Sequence, residues 1–167
     1  MKKILSFATL LLVAVFTSMA FVSCGDDDDN STSKKTSQYV NYTFNPTDDF
    51  KALFDFTVTY TDANGNEQTE AITTFPYTKY FTVTKFPASG KFVINVTPKA
   101  EYEAKDKYTI GWSTLLKTDG RNGTGGVNGL SMTHDRAVEY FNKITISSSW
   151  EFNADGTNKV DTEDSED

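Results

Sequence analysis

FDFTVTY, residues 54–60, alternates large apolar side chains with polar ones at every second position. Successive side chains of a β-strand point to opposite faces, so this period of two places the aromatic rings and one valine together. That apolar face consists of Phe54, Phe56, Val58 and Tyr60. The stretch predicts a strand that covers a core on one side and meets solvent on the other.

The same alternation recurs along the chain and decides the fold class. It is seen in VNYTF (40–44), YFTVTKF (80–86), KFVINVT (91–97), KYTIGWSTLLK (107–117) and ITISSSWEF (144–152). Asn64-Gly65 is a strong hairpin signal, which makes the thinly apolar NEQTEAIT (66–73) a return strand near a sheet edge. About seven short strands predict an all-β protein, an immunoglobulin-like or transthyretin-like β-sandwich.

Two segments break this pattern. THDRAVEYFNKI, 133–144, has Thr133 as an N-cap and apolar residues at helical spacing, which predicts one short helix over an open end of the sandwich. DGRNGTGGVNG, 119–129, is rich in glycine and predicts a mobile loop that acts as a flap over a binding site.

The N-terminus has the layout of an export signal. Lys2 and Lys3 precede an uncharged apolar run from residue 4 to residue 22. The FVSC that closes this run resembles the lipobox of bacterial lipoproteins. The resemblance implies that a signal peptide, residues 1–23, is removed, and that Cys24 becomes a lipidated first residue carrying acyl chains such as palmitate. Ordinary cleavage after Ala20 and a retained membrane helix are the alternatives.

Four aspartates follow this cysteine. Physically, Asp26, Asp27, Asp28 and Asp29 form a solvated, self-repelling run. The run also resembles the acidic export signal of surface lipoproteins of the Bacteroides type. That resemblance implies a lipid-anchored protein of the outer membrane, exposed on the cell surface. The expected organisation is a flexible tether at 24–38, one sandwich domain at 39–156 and a frayed acidic tail at 157–167.

Charge and cysteine content limit the function classes. The chain has 167 residues and a net charge of −7, yet the segment from 39 to 160 holds 14 acidic and 12 basic residues. The acidity therefore belongs to the two ends, and no basic face for nucleic acid is expected. With Cys24 as the only cysteine, no disulfide can form within the chain.

Catalysis has little support in the sequence. His134 is the only histidine and is expected to be a solvated surface residue, with no free thiol to activate and no second histidine for a metal. The carboxylates of Asp48 and Asp49, and those of Glu101, Glu103 and Asp106, fall in turn-like contexts. We therefore predict no enzyme, no cofactor and no metal site.

Aromatic residues are more numerous than a core of this size needs. The chain has 13 phenylalanines, 8 tyrosines and 2 tryptophans, and TTFPYTKYF clusters Phe75, Tyr77 and Tyr80 around a proline. Exposed rings with hydroxyl groups suit sugar stacking or a protein partner, so these three are the candidate ligand contacts. The alternative is that the rings only pack against the sandwich edge.

The leading hypothesis is a surface binding or adhesion module for a glycan or protein. The alternative function is an accessory or assembly lipoprotein of an outer-membrane or fimbrial complex.

Overall fold

The computed structural model describes residues 36–166, and the side chains of residues 36–162. This part of the chain is mostly β, with 61% of its residues in strands and 11% in helices, and the predicted all-β sandwich is confirmed. The strands are β1 (Gln38–Pro46), β2 (Phe54–Thr61), β3 (Glu67–Ile72), β4 (Tyr77–Val83), β5 (Ala88–Pro98), β6 (Tyr108–Thr118), β7 (Arg121–Met132), β8 (Ile144–Phe152) and β9 (Asn158–Glu166). The helices are α1 (Asp48–Leu53) and α2 (His134–Phe141).

The nine strands form two antiparallel sheets. One has four strands in the order β4-β1-β6-β7, and the other has five in the order β3-β2-β5-β8-β9. Two strands more than the seven expected are present, because two polar segments that did not alternate clearly are also paired. Neither helix within residues 36–166 has the length and apolar composition to cross a bilayer.

The core lies between the sheets and follows the alternation read from the sequence. All four apolar residues of FDFTVTY are buried, and their polar neighbours are not. Tyr42 of β1 stacks on Phe92 of β5 with ring centroids 4.4 Å apart and planes 6° apart, so the sheets meet through aromatic faces. Such pairs add about 0.5–1.5 kcal/mol beyond the area they bury.

The short helix α1 corrects one prediction. Asp48 and Asp49 do not lie in a turn but form its first turn, where negative charge suits the helix dipole. Its buried Phe50 contacts the rings of Phe54, Phe56, Trp112 and Phe141. Six residues are too few for helical periodicity to show, so only the structure reveals this plug at one end of the core.

Helix α2 is confirmed where the sequence predicted a helix. The Thr133 hydroxyl accepts a hydrogen bond from the Arg136 amide at 3.4 Å, as an N-cap does. Ala137 and Phe141 are buried, and the Phe141 ring stacks on Phe50 at 4.4 Å. The two helices therefore close the same end of the sandwich.

The glycine-rich segment 119–129 is not a mobile loop, and that prediction is wrong. Only Asp119 and Gly120 form a turn, and the rest belongs to β7, which pairs with β6 along its length. The glycines permit close approach: a Cβ on Gly123 would lie 2.7 Å from Val160 Cγ1 of β9. Gly126 has φ +133° beside a bulge in the β6 register, a conformation that favours glycine.

The acidic tail is also ordered where the sequence predicted fraying. Asn158–Glu166 pairs with β8 from Phe152 back to Ile144. Its Val160 packs against the core, and the Thr162 hydroxyl donates to the Thr124 carbonyl of β7 at 3.0 Å. The sandwich therefore continues beyond 156, as far as residue 166, because two inward residues and a full ladder outweigh the polar composition.

Candidate functional site

The structure separates the three aromatic residues that the sequence grouped together. Tyr77 is buried and points into the sandwich, and Phe75 packs edge-on against Phe44 and Phe56. Tyr80 points outward and is 61% exposed. One residue of the predicted cluster is therefore available to a ligand, while the other two have packing partners inside the protein.

Tyr77 belongs to a polar network that joins the edge strands of the two sheets, which we call the Glu70 clamp (Tyr60, Glu70, Tyr77 and Lys79). The Tyr77 hydroxyl donates to Glu70 Oε1 at 2.7 Å, and Lys79 Nζ donates to Glu70 Oε2 at 2.8 Å. The ammonium also lies 4.5 Å from the centre of the Tyr60 ring. The clamp ties β3 to β4 on one open side of the sandwich.

The electrostatics of the clamp favour a neutral Tyr77 hydroxyl beside an ionised Glu70 carboxylate. Burial, followed by the neighbouring carboxylate, raises the pKa of Tyr77 far above its ordinary value. Burial also acts to raise the pKa of Glu70, but the hydrogen bonds from Lys79 and Tyr77 outweigh it and hold that pKa below its ordinary value. Each member has a partner, so the clamp is a structural device rather than a reactive site.

Tyr80 has an aromatic neighbour that the predicted cluster did not include. Tyr39 of β1 stacks with it, at a centroid distance of 6.0 Å and an interplanar angle of 23°. We call this pair, Tyr39 and Tyr80, the tyrosine ledge. It lies on the outer face of the four-stranded sheet, since Val40, Tyr42 and Phe44 take the inward positions of β1.

A row of polar residues crosses the sheet beside the tyrosine ledge. The strand register places Asn41 opposite both Tyr80 and Lys117, and Lys117 opposite Asn122. The Asn41 Oδ1 atom is buried without a hydrogen-bond partner among the described residues. The row therefore combines planar aromatic surface with amides and one ammonium, groups that can stack on a ligand and form hydrogen bonds with it.

The sequence contained the signal for this face. The alternation that puts Phe81 and Val83 inward also puts Tyr80 outward, and VNYTF does the same for Asn41. Asn122 has no such signal, because the glycine-rich composition of its strand predicts a loop. The expected flap is absent from this site: β7 is a paired strand of the same sheet.

His134 is not the solvated residue that the sequence predicted. Its ring stacks on Tyr102 with centroids 4.1 Å apart, and its Nδ1 lies 3.0 Å from Asp135 Oδ1. Nε2 is buried with no hydrogen-bond partner among the described residues. The imidazole thus joins the start of α2 to the 99–107 connection through its stacking on Tyr102.

Carboxylates do not gather into a metal site in the described region. No cluster of three or more metal-ligating side chains occurs there. Glu151 and Asp161 line one shallow depression on the outer face of the five-stranded sheet, with Lys91 and Lys159. Asp161 pairs with Lys159 at 2.6 Å and is well exposed. That depression is a solvated charged surface.

The acidic pair of α1 has a structural role. Asp49 accepts hydrogen bonds from the Thr109 amide at 2.7 Å and from Lys105 Nζ at 2.9 Å. The backbone hydrogen bond, followed by the lysine, lowers the pKa of Asp49. The carboxylate joins α1 to β6 and to the 99–107 connection.

The predicted lipidation and export residues lie outside the described residues, as do the signal peptide and most of the tether. These are Cys24, Asp26, Asp27, Asp28 and Asp29. No protein-family model matches this chain, and no curated protein matches it significantly.

Proposed function

We propose that this protein is a non-catalytic binding module, held on the bacterial cell surface by lipid on Cys24, which binds a glycan through the tyrosine ledge. One observation carries the proposal. Tyr80, which is 61% exposed, stacks on Tyr39 beside the amide of Asn41 on the outer face of the four-stranded sheet. Exposure of a large aromatic ring to water is unfavourable, and a ligand that stacks on the ring removes part of this exposed surface.

The chemistry of the ledge suits a sugar. The C–H face of a pyranose ring packs on a tyrosine, while its hydroxyls bond to neighbouring amides. Asn41 supplies such an amide directly opposite Tyr80, and Asn122 supplies a second one two strands further along the row. Leaving the buried Asn41 Oδ1 without a hydrogen-bond donor destabilises the protein by about 1–3 kcal/mol. A sugar hydroxyl that donates to this atom, after the side chain rearranges, would remove that penalty.

A glycan array tests the proposal. The wild-type chain is expected to give a saturable hit, and Tyr80→Ala to weaken it by about 2 kcal/mol or more, roughly thirtyfold. Tyr102→Ala is the matched control, because Tyr102 is the other strongly exposed aromatic residue described and lies at the helix-capped end. A blank array, or equal losses in both variants, would contradict the proposal.

The anchor has a separate test. Metabolic labelling with a palmitate analogue is expected to mark the wild-type protein and to leave Cys24→Ala unmarked. Protease added to intact cells is expected to degrade the wild-type domain if Asp26–Asp29 direct it outward. Labelled protein that survives such digestion would place the domain on the inner side of the membrane.

The assembly alternative requires an unprotected apolar edge strand. Three of the four edge strands are protected by charge or by a bulge, and the fourth, β4, carries Lys79 and is tied to β3 by the Glu70 clamp. β3 carries Glu67 and Glu70, β9 carries Asp161 and further acids, and β7 is bent by a bulge and Gly126. Charges and bulges of this kind discourage strand addition, and they favour the binding module over the assembly role.

A further inference from the structure

Charge is divided unequally between the two sheets. The strands of the four-stranded sheet contain no aspartate or glutamate, and their charged residues are Lys79, Lys117 and Arg121. The strands of the five-stranded sheet contain eight acidic residues and two lysines. In a chain of net charge −7, the sheet that carries the tyrosine ledge is free of acid.

Lys117 is the charged residue that this sheet presents beside the ledge. Its Cα faces Asn41 on one side and Asn122 on the other, and the alternation of β6 turns it outward. Lys117 forms no ion pair with a described residue, whereas most of the described lysines and arginines do. Asp119, the acidic residue nearest to it in the chain, also forms no ion pair with it. The Lys117 ammonium is therefore available to an anion.

The spacing along the row fits a short oligosaccharide. Tyr80 and Lys117 are separated by one strand, which places their Cα atoms about 10 Å apart. Both side chains are long enough to converge on one sugar ring or on two adjacent rings. A single cation suits a single carboxylate, whereas a polyanion such as nucleic acid demands many phosphate contacts.

We propose that the tyrosine ledge selects an anionic sugar of the uronate class, with one ring stacked on Tyr80 and its carboxylate at Lys117. This inference rests on the proposed function and specifies its ligand. The absence of acidic residues from the four strands removes repulsion, and Lys117 supplies attraction. An uncharged sugar would gain nothing from either feature.

A matched pair of probes isolates the charge. The full chain, purified in detergent, is tested against oligogalacturonate and against the same oligosaccharide with every carboxylate methyl-esterified. The acid form is expected to bind about tenfold more tightly, and Lys117→Gln to abolish that difference without weakening the ester form. Lys91→Gln is the control, since Lys91 faces outward on the other sheet and is likewise free of an ion pair with a described residue.

The outcomes distinguish this inference from the function on which it rests. Equal binding of both probes, with loss in Tyr80→Ala, overturns uronate selection and leaves the sugar-binding ledge standing. Equal effects of Lys117→Gln and Lys91→Gln show only general charge attraction and overturn the inference. Failure of both probes to bind overturns it as well, and the glycan array then decides the proposed function independently.

Discussion

Replacing Glu70 with alanine removes the carboxylate that ties the β3 edge to the β4 edge. Two charge-assisted hydrogen bonds are lost, from the Tyr77 hydroxyl at 2.7 Å and from Lys79 Nζ at 2.8 Å. The buried Tyr77 hydroxyl is left without an acceptor, which costs about 1–3 kcal/mol. Lys79 is partly exposed and regains water, so its ion pair adds less than about 1 kcal/mol. We expect the free energy of unfolding to fall by about 2–3 kcal/mol.

Urea unfolding followed by tryptophan fluorescence measures this loss. With an m-value of about 2 kcal/mol/M, the midpoint of Glu70→Ala is expected to fall by about 1 M or more. Glu67→Ala is the matched control, because it removes an exposed carboxylate from the same strand and should change the unfolding free energy by less than about 0.5 kcal/mol. Equal midpoints for the two variants would refute the reasoning that the clamp stabilises the sandwich.

The clamp also predicts a dependence on pH with a definite sign. Despite the opposing effect of burial, hydrogen bonds hold the folded-state pKa of Glu70 below its ordinary value of 4.5. Its stabilisation is therefore complete above about pH 5 and is lost as the pH falls through the folded-state pKa. Glu70→Gln should flatten the decline in unfolding free energy between about pH 5 and pH 3. A wild-type decline no steeper than that of the variant would contradict the lowered pKa.

Three further predictions concern features that the sequence did not reveal. Phe50→Ala should lower the unfolding free energy by about 3–5 kcal/mol in urea titrations, and a change under 1 kcal/mol would contradict its central place in the core. Gly126→Ala should reduce the melting temperature far more than Gly120→Ala, because a Cβ at position 126 would collide with the Trp112 carbonyl and a Cβ at position 120 would meet open space. Equal shifts in melting temperature would contradict this. A stop codon after residue 157, which removes β9, should abolish the cooperative thermal transition, and an unchanged transition would indicate a frayed tail.

The strand pattern predicted most of the fold because the residues buried on one face of a strand recur at every second position of the sequence. In KYTIGWSTLLK and KFVINVT the inward residues are large and apolar, so the alternation is unambiguous. The same phase contained the outward position of Tyr80, whereas the proline-centred cluster grouped Tyr80 with the inward Tyr77. Parity with Val83 was the better guide, since one residue of offset reverses the face.

The errors arose where neighbours in space, rather than in sequence, decide the structure. The glycines of β7 indicate a loop when taken alone, but opposite Val160 they are what permits close packing. Val160 and Thr162 are two inward residues among acids, too few to predict β9 without its partner strand. The Glu70 clamp joins edge strands of different sheets, and no local pattern in the chain could place its members together.

The glycan site can be located by mapping backbone amide chemical shifts of residues 25–167 during titration with the glycan that binds best on the array. The largest changes are expected on Tyr39, Asn41, Tyr80 and Lys117, on the outer face of the four-stranded sheet. Saturation of these shifts should give the same dissociation constant as direct binding. Changes confined to the five-stranded sheet or to the 99–107 connection, or no changes at all, would contradict it.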